Sequence, residues 1–375
     1  MKKKALIIAT VVGFITSFEI NDIKILQELG YEVIVAANYE GYNGKLDDKN
    51  VKMLDIRFTR SPLTLQNIKA FKKLNKYVKE NKIDLIHCHT PVGGVMGRII
   101  GKLNKVQTVI YTAHGFHFFD GAPKLNWVIY YPIEKFLSRY TDILITINQE
   151  DYNRAKNKFY AKKAKYIPGV GVDVEKIRNV RVDRDKKRKE LGLKDNDIVL
   201  LSVGELSRRK NHIVAIKALG KIKKNKNIFY LIVGEGSLKN YLKKECRKLG
   251  IERQIKFLGY RKDVYELCKV ADIYIFPSQR EGLGIAALEG MAAGLPLVSA
   301  NINGIKDYTE NEKTGYCVDR FSINDFKNAI EKLAYNKNLR QRIGNYNEQV
   351  VKKFDIKNTE KIMKEIYLSI VQGER

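Results

Sequence analysis

The feature that most constrains this chain is an alternation of short apolar runs with amphipathic stretches, begun twice. In the first half "KALIIATV" (4–11), "YEVIVAAN" (31–38), "IDLIHCHT" (83–90), "TVIYTAHG" (108–115) and "ILITIN" (143–148) read as strands. Between them, "EINDIKILQELG" (19–30) sets Ile20, Ile23, Leu26 and Leu29 on one helical face closed by Gly30. The segment 63–82 is a basic amphipathic helix, and "PVGGVMGRIIGKL" is a helix with small residues. The pattern restarts with "DIVLLSVGEL" (197–206), "IFYLIVGEG" (228–236), "QIKFLGY" (254–260), "ADIYIFPS" (271–278) and "LPLVSA" (295–300). Strand–helix–strand alternation specifies parallel sheets wrapped by helices. The expected fold class is therefore α/β, with two doubly wound, Rossmann-like domains. Their expected ranges are 1–168 and 169–355, with the charged stretch Asp183 to Lys189 as a linker or early helix. The remainder, 356–375, is helical by period and is expected to pack back on the first domain.

A chain of 375 residues suits two domains of ordinary size, and 44% hydrophobic residues exclude global disorder. "MKKKALIIATVVGFI" superficially matches a signal peptide, but no small-x-small cleavage site follows and the helix–strand pattern continues. It reads as a first buried strand. No run of 18 apolar residues occurs, so no transmembrane helix is expected. Cys88, Cys246, Cys268 and Cys317 are scattered without a C-x-x-C, which fits a reduced, cytoplasmic setting. The net charge of +27 favours an anionic partner, although the lysines are dispersed and also fit a solvated surface.

In open α/β sheets ligands gather beyond the carboxyl ends of the strands. Three motifs occupy such positions. "VGELSRRKN" (203–211) leaves a strand at Gly204 and presents Arg208, Arg209 and Lys210, suited to a diphosphate. "VGEGSLKN" (233–240) is a weaker glycine-bearing exit. "EGLGIAALE" carries Glu281 and Glu289 around Gly282, Leu283, Gly284 and Ile285. Its glycines let backbone N–H groups approach a phosphate or sugar at a helix start. One carboxylate can accept bonds from sugar hydroxyls, and the other, about two turns into the helix, can clamp a ribose. The bland readings are an ordinary basic loop and a capping or solvated glutamate.

Glu281 to Glu289 resembles the E-x7-E motif of retaining, nucleotide-sugar-dependent glycosyltransferases of the GT-B fold. With "VGELSRRKN", "FLGYRKDVYELCKVADIYIFPS", "YTAHGFHFF" and "GMAAGLPLVSANINGIKDY", nearly the whole chain resembles glycosyltransferase family 4. "HGFHFF" followed by "NWVIYYPIEKFLSRYTDILITIN" is similar to bacterial members that build capsule, exopolysaccharide or lipid-linked glycans. The resemblance implies two domains facing a central cleft, the N-terminal one binding acceptor and the C-terminal one the nucleotide sugar.

It also implies roles. Glu281 contacts the donor sugar and Glu289 the ribose, while backbone at Gly282 to Ile285 meets sugar and diphosphate. Lys210, with Arg208 or Arg209, neutralises the leaving diphosphate. His114 approaches the donor sugar near the reacting carbon, and Gly13, in the first strand-to-helix loop, lies close to the diphosphate. Backbone near Gly259 to Arg261, Tyr260 included, selects the base. Two departures stand out. Glu205 follows the glycine of "VGELSRRKN" where many members have arginine, and "TVVGFITSFEIND" lacks the family's paired glycines.

The implied donor is a UDP-linked hexose or N-acetylhexosamine, with no further cofactor. The implied acceptor is a polyprenyl-diphosphate-linked glycan at the inner face of the plasma membrane. Peripheral contact with anionic lipid is expected through the 63–82 helix, with Phe116, Phe118, Phe119 and Trp127 divided between core and a lid. No metal is expected. "DND" (195–197) precedes a strand and reads as a turn, and His87 and His89 share a strand face without an evident third ligand. Two other classes compete. A sugar-nucleotide epimerase of similar fold is opposed by the E-x7-E pattern. A nucleic-acid-binding protein lacks a reading motif or an aromatic-interleaved platform.

Overall fold

The computed structural model describes residues 2–61, 64–222 and 227–373. Leu63, the first residue of "LTLQNIKA", lies outside them. The chain divides into two compact units, Met1–Val170 with Lys357–Arg375, and Gly171–Ile356.

The first unit is built on a seven-stranded, all-parallel sheet. Its strands are β1 (Lys4–Val11), β2 (Glu32–Asn38), β3 (Lys52–Asp55), β4 (Leu85–His89), β5 (Thr108–Ala113), β6 (Ile143–Thr146) and β7 (Lys163–Tyr166). The spatial order is β3-β2-β1-β4-β5-β6-β7, and the winding direction reverses between β1 and β4. Each of the six middle residues of β1 is buried, and so is every residue of β4 and β5, as expected for strands covered on both faces. Five helices are used below: α1 (Val12–Phe18), α2 (Ile20–Glu28), α3 (Leu65–Asn81), α4 (Pro91–Leu103) and α5 (Lys124–Leu137). The small residues of α4 have a steric role. A Cβ on Gly97 would lie 2.6 Å from that of Cys88, so this helix reaches the sheet only without side chains there.

The second unit has a six-stranded parallel sheet of β8 (Ile198–Val203), β9 (Ile228–Val233), β10 (Ile255–Gly259), β11 (Ile273–Phe276), β12 (Leu297–Ala300) and β13 (Gly315–Val318). Its order is β10-β9-β8-β11-β12-β13, reversing between β8 and β11. The first and last residues of this unit run side by side, with Val172 paired to Asp355. The two sheets establish the α/β architecture of two doubly wound units anticipated above.

The structure adds three strands that the apolar-run reading omits: β3, β7 and β13. All three are short edge strands, and most of their residues are only partly buried or exposed. Such strands need no continuous apolar run. It also adds α5, which contains Pro132 and lacks the polar face by which a surface helix is recognised. The Asp183–Lys189 stretch resolves as a helix, Arg184–Glu190, with Asp183 accepting from the Lys186 N–H as its N-cap. Phe116, Phe118 and Phe119 are all buried, so these three belong to the core, while Trp127 is half-buried.

Candidate active site

In the second unit the candidate residues gather where β8 and β11 leave the sheet, its topological switch point. The β8 exit runs through Gly204 to Lys210. The backbone N–H of Gln279 donates to the Arg209 carbonyl at 2.7 Å, and Asn211 Nδ2 donates to the carbonyls of Pro277 (3.2 Å) and Arg320 (2.8 Å). Asn211 adopts a left-handed conformation, tolerated by this residue type, and starts the helix His212–Gly220. The basic loop is thereby fixed against the loop that carries Glu281.

The two loops meet at one carboxylate. Glu281 Oε1 lies 2.7 Å from Lys210 Nζ and 2.9 Å from Arg209 Nη1. Burial raises its pKa, but the two cations outweigh that, and the carboxyl is held below its ordinary range. The Lys210 ammonium also stands 4.9 Å from the centre of the Phe276 ring. Arg208 is exposed and forms no ion pair among the described residues. Of the three basic residues, Arg209 and Lys210 converge and Arg208 does not.

Gly284 has φ +96° and caps the helix Ile285–Ala292. A Cβ there would meet the Phe276 ring at 2.7 Å and the Tyr308 hydroxyl at 2.8 Å. Leu283 is buried beneath the same turn. Across it, a Cβ on Gly304 would sit 1.9 Å from the Gly282 carbonyl oxygen, so the Asn303–Asp307 segment approaches as bare backbone. Glu289 is the fifth residue of its helix, just over one turn in rather than two. Tyr265 Oη donates to it at 3.2 Å, while burial raises its pKa against that bond. At the β10 exit the Gly259 carbonyl accepts from the Gly234 N–H, and Tyr260 is exposed.

The first unit holds a second cluster, also at its switch point. His114 follows β5, and His89 ends β4. His114 Nε2 is 3.2 Å from His89 Nδ1 and 3.8 Å from Glu19 Oε1, which is itself 3.4 Å from His89 Nδ1. Burial depresses the imidazoles, His114 to about 4, and raises Glu19 well above the carboxylate range. Burial thus disfavours the charged form of each of the three groups. Two imidazoles and a carboxyl are nonetheless a metal-ligating donor set. The third partner that sequence spacing did not offer to His87 and His89 comes, for His89 alone, from separate elements. Gly13 lies inside the first turn of α1 rather than in a loop, and its neighbour Phe14 packs edge-on against His114 at 4.7 Å.

Beneath this cluster runs a buried hydrogen-bonded chain absent from the sequence reading. Tyr367, on the C-terminal helix Ile356–Val371, donates its hydroxyl to Asp22 Oδ2 at 2.9 Å. Its oxygen is 2.6 Å from His87 Nδ1, and His87 Nε2 is 2.7 Å from the Thr112 hydroxyl. These bonds assign the proton to Nδ1 of His87, with Nε2 accepting from Thr112.

Residues 183–350 match the family "Glycosyl transferases group 1", and residues 7–148 match "Glycosyl transferase 4-like". The provisionally named glycosyltransferase EpsD of Bacillus subtilis (strain 168) is 35% identical over 98% of this chain and 97% of its own length. The UDP-Gal:alpha-D-GlcNAc-diphosphoundecaprenol alpha-1,3-galactosyltransferase of Escherichia coli is 32% identical over 87% of this chain and 86% of its own. Among solved structures, Anabaena HepE in complex with UDP superposes with a TM-score of 0.80 at 21% identity, covering 98% of this chain and 100% of that one. The chain belongs to the GT-B glycosyltransferases. It is an enzyme of sugar transfer, and the second of its two units carries the group 1 region.

Proposed function

We propose that this enzyme transfers a hexose or N-acetylhexosamine from UDP to a hydroxyl of a polyprenyl-diphosphate-linked glycan, with retention at the anomeric carbon. The pathway is cell-surface polysaccharide synthesis at the inner face of the plasma membrane. The carrying observation is the convergence of Arg209 and Lys210 on Glu281, eight residues before Glu289. As the glycosidic bond of the donor breaks, negative charge builds on the departing diphosphate. Two preordered cations, the largely buried Lys210 and the half-exposed Arg209, stabilise that charge more in the transition state than in the ground state. Glu281 holds them in position and meets the donor sugar, and Glu289, steadied by Tyr265, takes the ribose. The leaving phosphate accepts the acceptor's proton, so no enzymic nucleophile and no metal are required. The lipid-linked substrate named for the E. coli relative supports the choice of acceptor.

The test supplies UDP-sugars with an undecaprenyl-diphosphate-linked acceptor and reads the product's anomeric configuration by NMR. Retention is expected, and Glu281→Gln should lower kcat on the order of 10²-fold. An inverted product, or undiminished turnover in the variant, overturns the reading.

A further inference from the structure

The outer face of α5 is apolar along its whole length. Leu125, Val128, Ile129, Pro132, Ile133 and Phe136 are all exposed, Val128 by 71% and Leu125 by 65%. Their spacing of three, four, seven, eight and eleven residues from Leu125 makes one continuous stripe. The opposite face accounts for the packing of the helix. Trp127, Tyr130 and Tyr131 lie against the core, and Glu134, the helix's one acid, turns inward to Arg98 at 2.8 Å. The solvent side therefore carries no negative charge from this helix. Lys124, Lys135 and Arg139 flank the stripe, and the half-exposed Tyr160 ring lies 5.3 Å from the Lys135 ammonium and 4.7 Å from the Arg139 guanidinium. Nearby acids are already paired, Asp120 with Arg154 and Asp142 with Lys162.

We infer that the outer face of α5 is where this enzyme docks on an anionic bilayer, its apolar stripe entering the headgroup boundary and Lys124, Lys135 and Arg139 meeting lipid phosphates. This deepens the reading above, from which the membrane-borne acceptor comes. An apolar stripe edged by cations and tyrosines fits the polarity gradient of a lipid interface. A second copy fits poorly, because a two-fold contact would set these cations against themselves with no acid to meet them. Among the described residues no helix is long and apolar enough to cross a membrane, so this is surface attachment. The rival surface is α3. It buries Ala70, Leu74 and Val78 and exposes only Leu65 and Ile68 of its apolar residues at its start.

Flotation of the full chain with vesicles tests this, using phosphatidylglycerol mixed with phosphatidylcholine against phosphatidylcholine alone. Binding should require phosphatidylglycerol. Ile129→Glu with Ile133→Glu should lower the partition coefficient by about tenfold or more. Lys135→Gln with Arg139→Gln should lower it by about fivefold per charge. Ile68→Glu should leave it unchanged. Thermal melting and calorimetric UDP binding of each variant should match the parent, so a failure of docking is separated from a failure of the transferase reading. No flotation, flotation indifferent to the α5 variants, or flotation lost in Ile68→Glu overturns the inference. So does a lipid-independent dimer, by light scattering, that the α5 changes dissociate.

Discussion

Glu281 shows how one residue is defined by its surroundings. A buried carboxylate is costly unless paired, and here two cations from another loop supply the pairing. His114 is the converse case, an imidazole that burial keeps uncharged, its pKa pushed from 6.5 down to about 4. The unfolded chain binds a proton at this histidine between pH 6.5 and about 4, where the folded chain does not. Its contribution therefore favours the fold at higher pH and is lost as pH falls through that window. His114→Gln should flatten the pH dependence of unfolding free energy there, by up to about 1.4 kcal/mol per pH unit, in urea titrations. An unchanged slope would mean that the imidazole already ionises freely in the fold. The motif residues were legible because loop and helix start are contiguous in sequence. Tyr265, Asn211 and Glu19 were not, since each acts across the fold and no local spacing points to it.

Among elements, the central strands were legible because burial on both faces demands unbroken apolar runs. The edge strands β3, β7 and β13 were not, because half-exposed strands tolerate lysine and polar residues. The helix α5 was hidden by Pro132 and by an outer face as apolar as its inner one. The C-terminal helix was legible by period, whereas the buried hydrogen bonds that its Tyr367 makes in the first unit were not. Tyr367 bonds both Asp22 and His87 in a buried position. Tyr367→Phe leaves both groups without that partner and should destabilise the fold by about 1–3 kcal/mol, read as a lower urea midpoint. Asp22→Asn added to it should then cost less than it does in the parent, because the two side chains share one bond. Additive losses would show that the chain of bonds is not a unit.

Across the whole molecule, two units with separate cores repeat one topology, and each brings its candidate residues to the point where winding reverses. That repetition was visible in the sequence as the restarted alternation. The net charge of +27 did not identify the partner, because total charge says nothing about which face carries it. The central claim is that the second unit grips a nucleoside diphosphate through the residues at its switch point. A crystal structure of the enzyme with UDP tests it most directly. The account predicts a ribose hydroxyl within hydrogen-bond distance of Glu289 and diphosphate oxygens on Lys210 and Arg209. A nucleotide bound elsewhere, with Glu289 still engaged only by Tyr265, would contradict it.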